Sequence, residues 1–492
     1  MMNLTVNNIS GQYVGLTSSA AERGSAPALR EESAPLDSVS VGSEKTEDMS
    51  ADAEALARRI VGKRGDISEV AVLKGGDGDD TIKISRGENG GLKVDINGEV
   101  KNLTALQAEK LVIDGGKGND TIIADKDLFK PLYITGGEGN DKIVGGAGDD
   151  VIIDSYGANR LEGGRGSDAL IASGLDLDAS SPEVMNVGGR SINGSIIIGG
   201  PGSDYIEGGK GSDLLVGGDG NDSIYGLGGD DIILGGSGRN YSDGGRGNDV
   251  VRDHGRSSVI FGGQGDDALL MRGSGLIADS YGNNSIEASN ASVRVIDNGA
   301  GTLRAADGVK HETSEPSAVP ENFKIEGGEA YRERVGSDLD SLANLEIGQK
   351  MLNTIAQTGK EVTIKETDWG NQCAGGSEGY LKDDHRTPGQ GVSSTITYNR
   401  ATVALKSDAA WKERPPMVGL YHEMAHSYNY ATGTMDNWAY EADGRPATGP
   451  YGTVGAEFQA VGLDCRNTPA NPEGLTENAM RAELGLVRRD RY

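Results

Sequence analysis

Between Val70 and about Gly301, apolar residues come in three-residue segments such as Tyr205-Ile206-Glu207, Leu214-Leu215-Val216 and Ile232-Ile233-Leu234. Each follows a six-residue turn of the form GGxGxD. These turns begin at Gly75, Gly115, Gly136, Gly145, Gly163, Gly199, Gly208, Gly217, Gly244 and Gly262, with weaker copies at Gly226 (GLGGDD) and Gly235 (GGSGRN). The starts from 199 to 244 are nine residues apart without a break, and the spacings 145 to 163, 163 to 199 and 244 to 262 are multiples of nine. A strand of three residues buries nothing alone and must stack on its neighbours, so the pattern predicts a parallel β-roll over 70–301. A flexible Gly/Asp linker would have no reason to keep a nine-residue register.

Outside the repeats the pattern changes. Residues 1–49 are rich in Ser, Ala and Glu, contain one aromatic residue (Tyr13) and show no sustained period, which reads as a disordered leader able to serve as a secretion signal. Ser50 can cap a helix over 51–61, with Leu56 and Ile60 on one side and Gly62 at its end, so 50–69 is a short helical segment. The stretch 172–195 lacks the turn motif and is expected to loop out. Residues 302–322, including KHETSEPSAVPEN, read as a linker, and 323–492 as a separate globular α+β unit. There Leu339, Leu342, Leu345, Met351, Leu352 and Ile355 recur at helical spacing as core. Gly391 to Asn399 alternates as a strand, either an ordinary core strand or a sheet edge that could accept a substrate peptide as an added strand.

Composition sharpens the picture. Gly makes up 78 of 492 residues, more than twice the usual share of about 7%. Against 47 Lys and Arg stand 75 Asp and Glu, a net charge of −28 that lies mostly upstream of residue 323. That balance disfavours nucleic acid and anionic membrane surfaces as partners and favours cations. Two cysteines, Cys373 and Cys465, are too few for a disulfide framework, although one bridge between them stays open. No run approaches the ~20 apolar residues of a membrane span. Met1 to Ala20 lacks the basic and apolar regions of a general secretory signal.

The sixth-position aspartates, Asp80, Asp120, Asp141, Asp150, Asp168, Asp204, Asp213, Asp222, Asp231, Asp249 and Asp267, supply hard oxygen ligands suited to Ca2+, while the glycines permit positive φ and close approach. The stretch resembles the RTX nonapeptide family. That resemblance implies calcium between turns eighteen residues apart, pairing Asp150 with Asp168, Asp204 with Asp222, Asp213 with Asp231, Asp231 with Asp249, and Asp249 with Asp267. Asn240 departs from the pattern beside Asp222.

Near the C-terminus His422-Glu423-Met424-Ala425-His426 forms an HExxH. On a helix, i and i+4 share a face, so His422 and His426 can ligate one Zn2+, with Glu423 placed to take a proton from water. Catalytic zinc needs a third protein ligand and an open position. Glu457 is the chosen third ligand, with Asp436, Glu441 and Asp443 as competitors. No third histidine follows in the metzincin pattern.

The lead Arg414-Pro415-Pro416, the segment Glu457 to Leu463, and Leu475-Thr476-Glu477-Asn478 through Arg481-Ala482-Glu483-Leu484-Gly485 to Arg491-Tyr492 resemble the NleD-type zinc metalloproteases. This implies a zincin-like α+β fold, a protein substrate in a host cell and delivery by type III secretion; the RTX repeats point instead to type I export. A more distant resemblance to the clostridial neurotoxin light chains, which carry an Arg-x-x-Tyr pair, implies that Arg489 and Tyr492 stabilise the oxyanion on the scissile carbonyl. The leading expectation is a secreted zinc endopeptidase with a calcium-binding repeat region. The alternative is an RTX structural or adhesive protein whose terminal domain is inactive.

Overall fold

A computed structural model of the chain describes residues 50–61, 66–172, 185–187, 190–279, 281–315, 317–367, 370–379, 388–401, 414–436, 439–440, 453–461, 463 and 474–489. The expected leader, 1–49, lies outside the described residues. No described helix is long and apolar enough to cross a membrane.

Successive strands alternate between two sheets, one of twelve and one of thirteen strands, so the chain winds as a parallel β-roll from Ala71–Lys74 to Lys310–Thr313. The middle residue of each short segment points inward because side chains alternate along a strand. Ile197, Leu215, Ile233, Val251 and Leu269 on one sheet face Ile206, Ile224, Ile260 and Ile277 on the other, all essentially inaccessible to solvent. Register is fixed coil on coil, as in Leu215 opposite Ile233.

The glycines are required by geometry. Gly200 and Gly218 hold φ of 117° and 119°, and a Cβ on Gly199 would stand 2.3 Å from Asp204 Oδ2. Leu227 breaks the rule, keeping φ of 75° where glycine is expected. That conformation costs about 1–2 kcal/mol, and burial of its side chain, worth roughly 1.5–3 kcal/mol, offsets it.

Helix α1 (Ala51–Val61) covers the outer face of the first coils, with Ala53, Leu56 and Ala57 against Val70 and Val112. An antiparallel meander (Thr81–Arg86, Leu92–Ile96, Glu99–Leu103) and helix α2 (Ala105–Glu109), whose capping box joins Thr104 and Gln107, close that end of the roll. Of the expected loop at 172–195, Met185–Val187 and Arg190–Ile192 form a hairpin, and Arg160–Glu162 pairs directly with the strand beginning at Ile196. The insertion therefore leaves the register intact.

The far end of the roll differs from the sequence reading. Thr302–Ala305 and Lys310–Thr313 add further strands to the two sheets, with Leu303 and Val309 packed against the roll interior. The first part of the expected 302–322 linker is thus a last coil. Its degenerate turn hides it from a search for GGxGxD.

The C-terminal unit is α+β. Its sheet runs in the order Phe323–Glu326, Val362–Glu366, Ser394–Tyr398, Gln372–Gly375, the last strand antiparallel to its neighbour. Around it pack α3 (Glu329–Ala343), α4 (Glu346–Gln357), α5 (Pro416–Thr432), α6 (Gly455–Val461) and α7 (Glu477–Glu483). Ser394–Tyr398 is paired on both sides, so it is not the sheet edge. The edge beside α5 is Gln372–Gly375, whose alternate residues Gln372 and Ala374 are exposed.

The C-terminal unit follows the roll in the chain as expected, and the two share one core. The outward positions of four consecutive coils carry Tyr205, Tyr225, Tyr241 and Phe261, stacked with ring centroids 5.8, 5.2 and 5.7 Å apart. These rings pack with Tyr331, Val335 and Leu339 of α3. Arg334, fully buried, sits 3.2 Å above the Tyr225 ring and pairs with Asp338 at 2.7 Å and with Glu207 of the roll at 3.5 Å. Ser337 and Ser341 both donate to Asp243 Oδ2 at 2.9 Å, and Tyr398 donates to Asp338 at 2.8 Å. The roll face is apolar and charged in the same places as α3, which is why the two units meet there.

Candidate metal centre

Helix α5 starts with Pro416, whose fixed φ suits the first turn, and stops at Gly433, where φ is 74° and the amide donates to Asn429 O and Tyr430 O. It lies between the sheet and helices α3, α4, α6 and α7, so sixteen of its seventeen residues are buried. Gly375 lets the edge strand approach it closely: a Cβ there would stand 2.5 Å from the Tyr430 ring.

One turn apart on α5, His422 and His426 bring their Nε2 atoms to 3.3 Å, with rings nearly perpendicular. Glu457 on α6 completes the group, its Oε2 3.2 Å from His422 Nε2 and its Oε1 3.5 Å from His426 Nε2. The three donors lie within 4.8 Å of one another. Helix α6 is held in place by Gln459, which donates to Thr434 O at 3.2 Å, and by the Ala456 amide, which donates to Asp436 O at 2.7 Å. Asp436 thus supports α6 through its backbone and is not among the three donors. Glu441 and Asp443 lie outside the described residues.

Burial works to lower the pKa of His422, but hydrogen bonds to Glu457 and Glu477 raise it to about 9. Burial would raise Glu457, yet the two histidines outweigh it and hold the carboxyl well below its usual range. Without a cation, protons must neutralise this cluster. Two imidazole nitrogens and one carboxylate therefore fit a divalent transition metal. Glu423, beside His422 in sequence, is buried, and its charge acts both on His422 and on Cys373 of the edge strand, as does Glu457. Cys373 Sγ meets Ser427 Oγ at 3.3 Å, and burial pushes its thiol up to about 12; Cys465 lies outside the described residues.

Glu477, at the start of α7, received no role from the sequence, although it lies in a segment that carried the family resemblance. Its Oε2 meets His422 Nδ1 at 2.9 Å, which presents Nε2 to the metal position. Arg481 donates to its Oε1 at 2.7 Å, while Arg489 and Arg414 lie 3.2 and 3.5 Å from its Oε2. Arg489 is therefore a partner of Glu477, on the Nδ1 side of His422, and its backbone is fixed by Asn478. Tyr492 lies outside the described residues. Glu477→Gln, which keeps the shape and removes the charge, is expected to weaken metal retention about 10–100-fold, read by competition with a chromophoric chelator.

The sixth-position aspartates form two lines along the edges of the roll. On one, the amides of Asp150, Asp168 and Asp204 donate to Oδ1 of Asp168, Asp204 and Asp222 at 2.8, 2.8 and 2.9 Å. On the other, Asp80 donates to Asp120, Asp120 to Asp141, Asp213 to Asp231, Asp231 to Asp249 and Asp249 to Asp267, between 2.6 and 2.8 Å. Asn240 accepts from the Asp222 amide at 3.1 Å, so it keeps the ladder but not the charge. The second oxygens of Asp120, Asp141, Asp168, Asp204, Asp222, Asp231, Asp249 and Asp267 are buried without a hydrogen-bond partner. Burial raises Asp150 and Asp204 to about 7 and Asp168 and Asp222 to about 8. Buried carboxylate oxygens without donors fit a hard cation.

Comparison with known families places residues 320–492 in a match to the Peptidase_M91 family, described as "Effector protein". Segments 72–83, 112–127, 135–170, 195–224, 208–242, 216–251 and 243–270 match the RTX calcium-binding nonapeptide repeat. Neither the curated proteins nor the solved structures compared with the chain give a match.

Proposed function

From the premise that one chain joins RTX calcium-binding repeats to an effector peptidase domain, we propose a secreted zinc endopeptidase that cleaves a host protein. The observation that carries this reading is the convergence of His422, His426 and Glu457 in one largely buried group, with Glu423 buried next to His422 on the same helix. His422, His426 and Glu457 hold Zn2+, which supplies Lewis acidity and lowers the pKa of water when bound. A peptide of the substrate adds as a strand to Gln372–Gly375, an outer strand of the sheet among the described residues, where Gln372 and Ala374 are exposed. Glu423 takes the proton of the attacking water and returns it to the leaving amine. Glu477 positions His422, and Arg489, through Glu477, serves the same end. The Ser-rich composition of residues 1–49 and the family description favour type III delivery over type I export.

Elemental analysis of the full chain tests this. One zinc per chain, lost together with proteolysis under a chelator selective for zinc over calcium, is the expected result. Calcium without zinc would instead leave a calcium-binding structural or adhesive protein with an inactive terminal domain.

A further inference from the structure

Two turns of the roll depart from GGxGxD in the same way. Residues 154–159 read DSYGAN and 279–284 read DSYGNN: aspartate replaces the first glycine and asparagine replaces the sixth-position aspartate. Asn159 and Asn284 still accept the amides of Asp141 and Asp267, each at 2.8 Å, so the ladder continues without its charge. The charge reappears at the first position. Strand register stacks Asp154 on Gly136 and Asp279 on Gly262, the first residues of the preceding turns, and so turns each new carboxylate toward the sixth-position aspartate of that turn.

At Gly262, Asp279 Oδ2 and Asp267 Oδ2 lie 2.0 and 2.7 Å from the point a Cβ would occupy. Asp279 is fully buried, and apart from the Tyr281 amide its carboxyl faces only that of Asp267, close enough for a proton to bridge the two; neither Asp279 oxygen nor Asp267 Oδ2 has a donor from any other described group. Asp154, also fully buried, accepts from the Gly137 amide at 3.3 Å through Oδ1, while its Oδ2 and that of Asp141 have no partner. Two carboxylates facing each other with buried, unpaired oxygens are strongly unfavourable unless a proton or a cation lies between them.

A third turn provides the contrast. Residues 253–258 read DHGRSS, so an aspartate again takes the first position, but the preceding turn ends in Asn240. There Asn240 Nδ2 donates to Asp253 Oδ2 at 2.9 Å and the Gly255 amide donates to Oδ1 at 2.6 Å. An amide stands where the other two turns have a second carboxylate, and Asp253 is satisfied without an ion.

We propose that the roll has two calcium sites outside the GGxGxD consensus, one between Asp141 and Asp154 and one between Asp267 and Asp279. Each takes a first-position carboxylate in place of the missing sixth-position one. The asparagine keeps the backbone ladder, and the relocated aspartate keeps the charge that the cation needs.

Calcium bound per full chain, counted by equilibrium dialysis, tests this. The double variant Asp154→Asn with Asp279→Asn is expected to bind two ions fewer than the parent, and Asp253→Asn as many as the parent. Asn240→Asp, which puts a second carboxylate beside Asp253, is expected to gain one ion, a result that misfolding cannot produce. An undiminished count in the double variant, a lost ion in Asp253→Asn, or no gain in Asn240→Asp would each overturn the proposal.

Discussion

Glu423→Gln is expected to keep its zinc and its fold while proteolysis falls about 10²–10⁴-fold, the usual contribution of a positioned general base. The metal stays if, as proposed, His422, His426 and Glu457 hold it, since Glu423 is not among these three donors. Activity goes because the other carboxylate that acts on both His422 and Cys373 of the edge strand, Glu457, is engaged with His422 and His426. Gln keeps the volume of a buried side chain in a helix packed on every side, so loss of stability cannot stand in for loss of chemistry. The measurement is a comparison of new protein N-termini in a cell lysate treated with parent or variant chain, with zinc counted in both. Equal sets of N-termini would remove Glu423 from the reaction. Zinc lost along with activity would mean that the donor set is wrong.

Removing calcium is expected to silence the same reaction even when zinc is supplied. Each calcium ion bound only by the folded roll stabilises it by about 2.7 kcal/mol at a hundred times its dissociation constant. Once the ions leave, the two aspartate ladders hold buried carboxylates without donors. The C-terminal unit cannot stay indifferent, since Tyr331, Val335 and Leu339 share a core with Tyr205, Tyr225, Tyr241 and Phe261. Unfolding the roll would also leave Arg334 and Asp338 without Glu207 and the Tyr225 ring. Dialysis against calcium-free, zinc-buffered solution should therefore abolish strand circular dichroism and proteolysis together, and full activity beside an unfolded roll would refute the coupling.

The pH dependence of the calcium-free chain follows with a definite sign. Asp150, Asp168, Asp204 and Asp222 titrate at about 7, 8, 7 and 8 in the folded roll, against about 4 in an unfolded chain. The folded state then binds more protons between those values, so stability falls as pH rises from about 4 to 8. Acidification should partly restore the calcium-free roll.

Much of this molecule was legible one segment at a time. The nine-residue register set the winding of the roll, because a turn of fixed length followed by a short apolar segment allows only one way to stack. The sixth-position aspartates and the four-residue spacing of His422 and His426 were equally local, and a helix places i and i+4 together whatever surrounds it. Asp154 and Asp279 were just as visible in the sequence, but their meaning was not, since it depends on which turn lies beneath them.

The remaining features depend on partners far apart in the chain. The sequence already pointed to Glu457 over the nearer Asp436, and the packing of α6 against α5 brings Glu457 to the histidines. Gly391 to Asn399 reads as well for an edge as for an interior strand, and pairing with both Val362–Glu366 and Gln372–Gly375 makes it interior. Glu477, 55 residues from His422, and Glu207, well over a hundred from Arg334, acquire their roles when folding buries their charges and leaves each a single set of partners. The sequence by itself determined the repeat, its cation ligands and the helical pair of histidines, because these follow from short-range backbone geometry. The tertiary structure decided the third donor, the support behind the histidines and the fusion of roll and C-terminal unit into one core, because a buried charge or ring takes its function from whatever distant residue covers it.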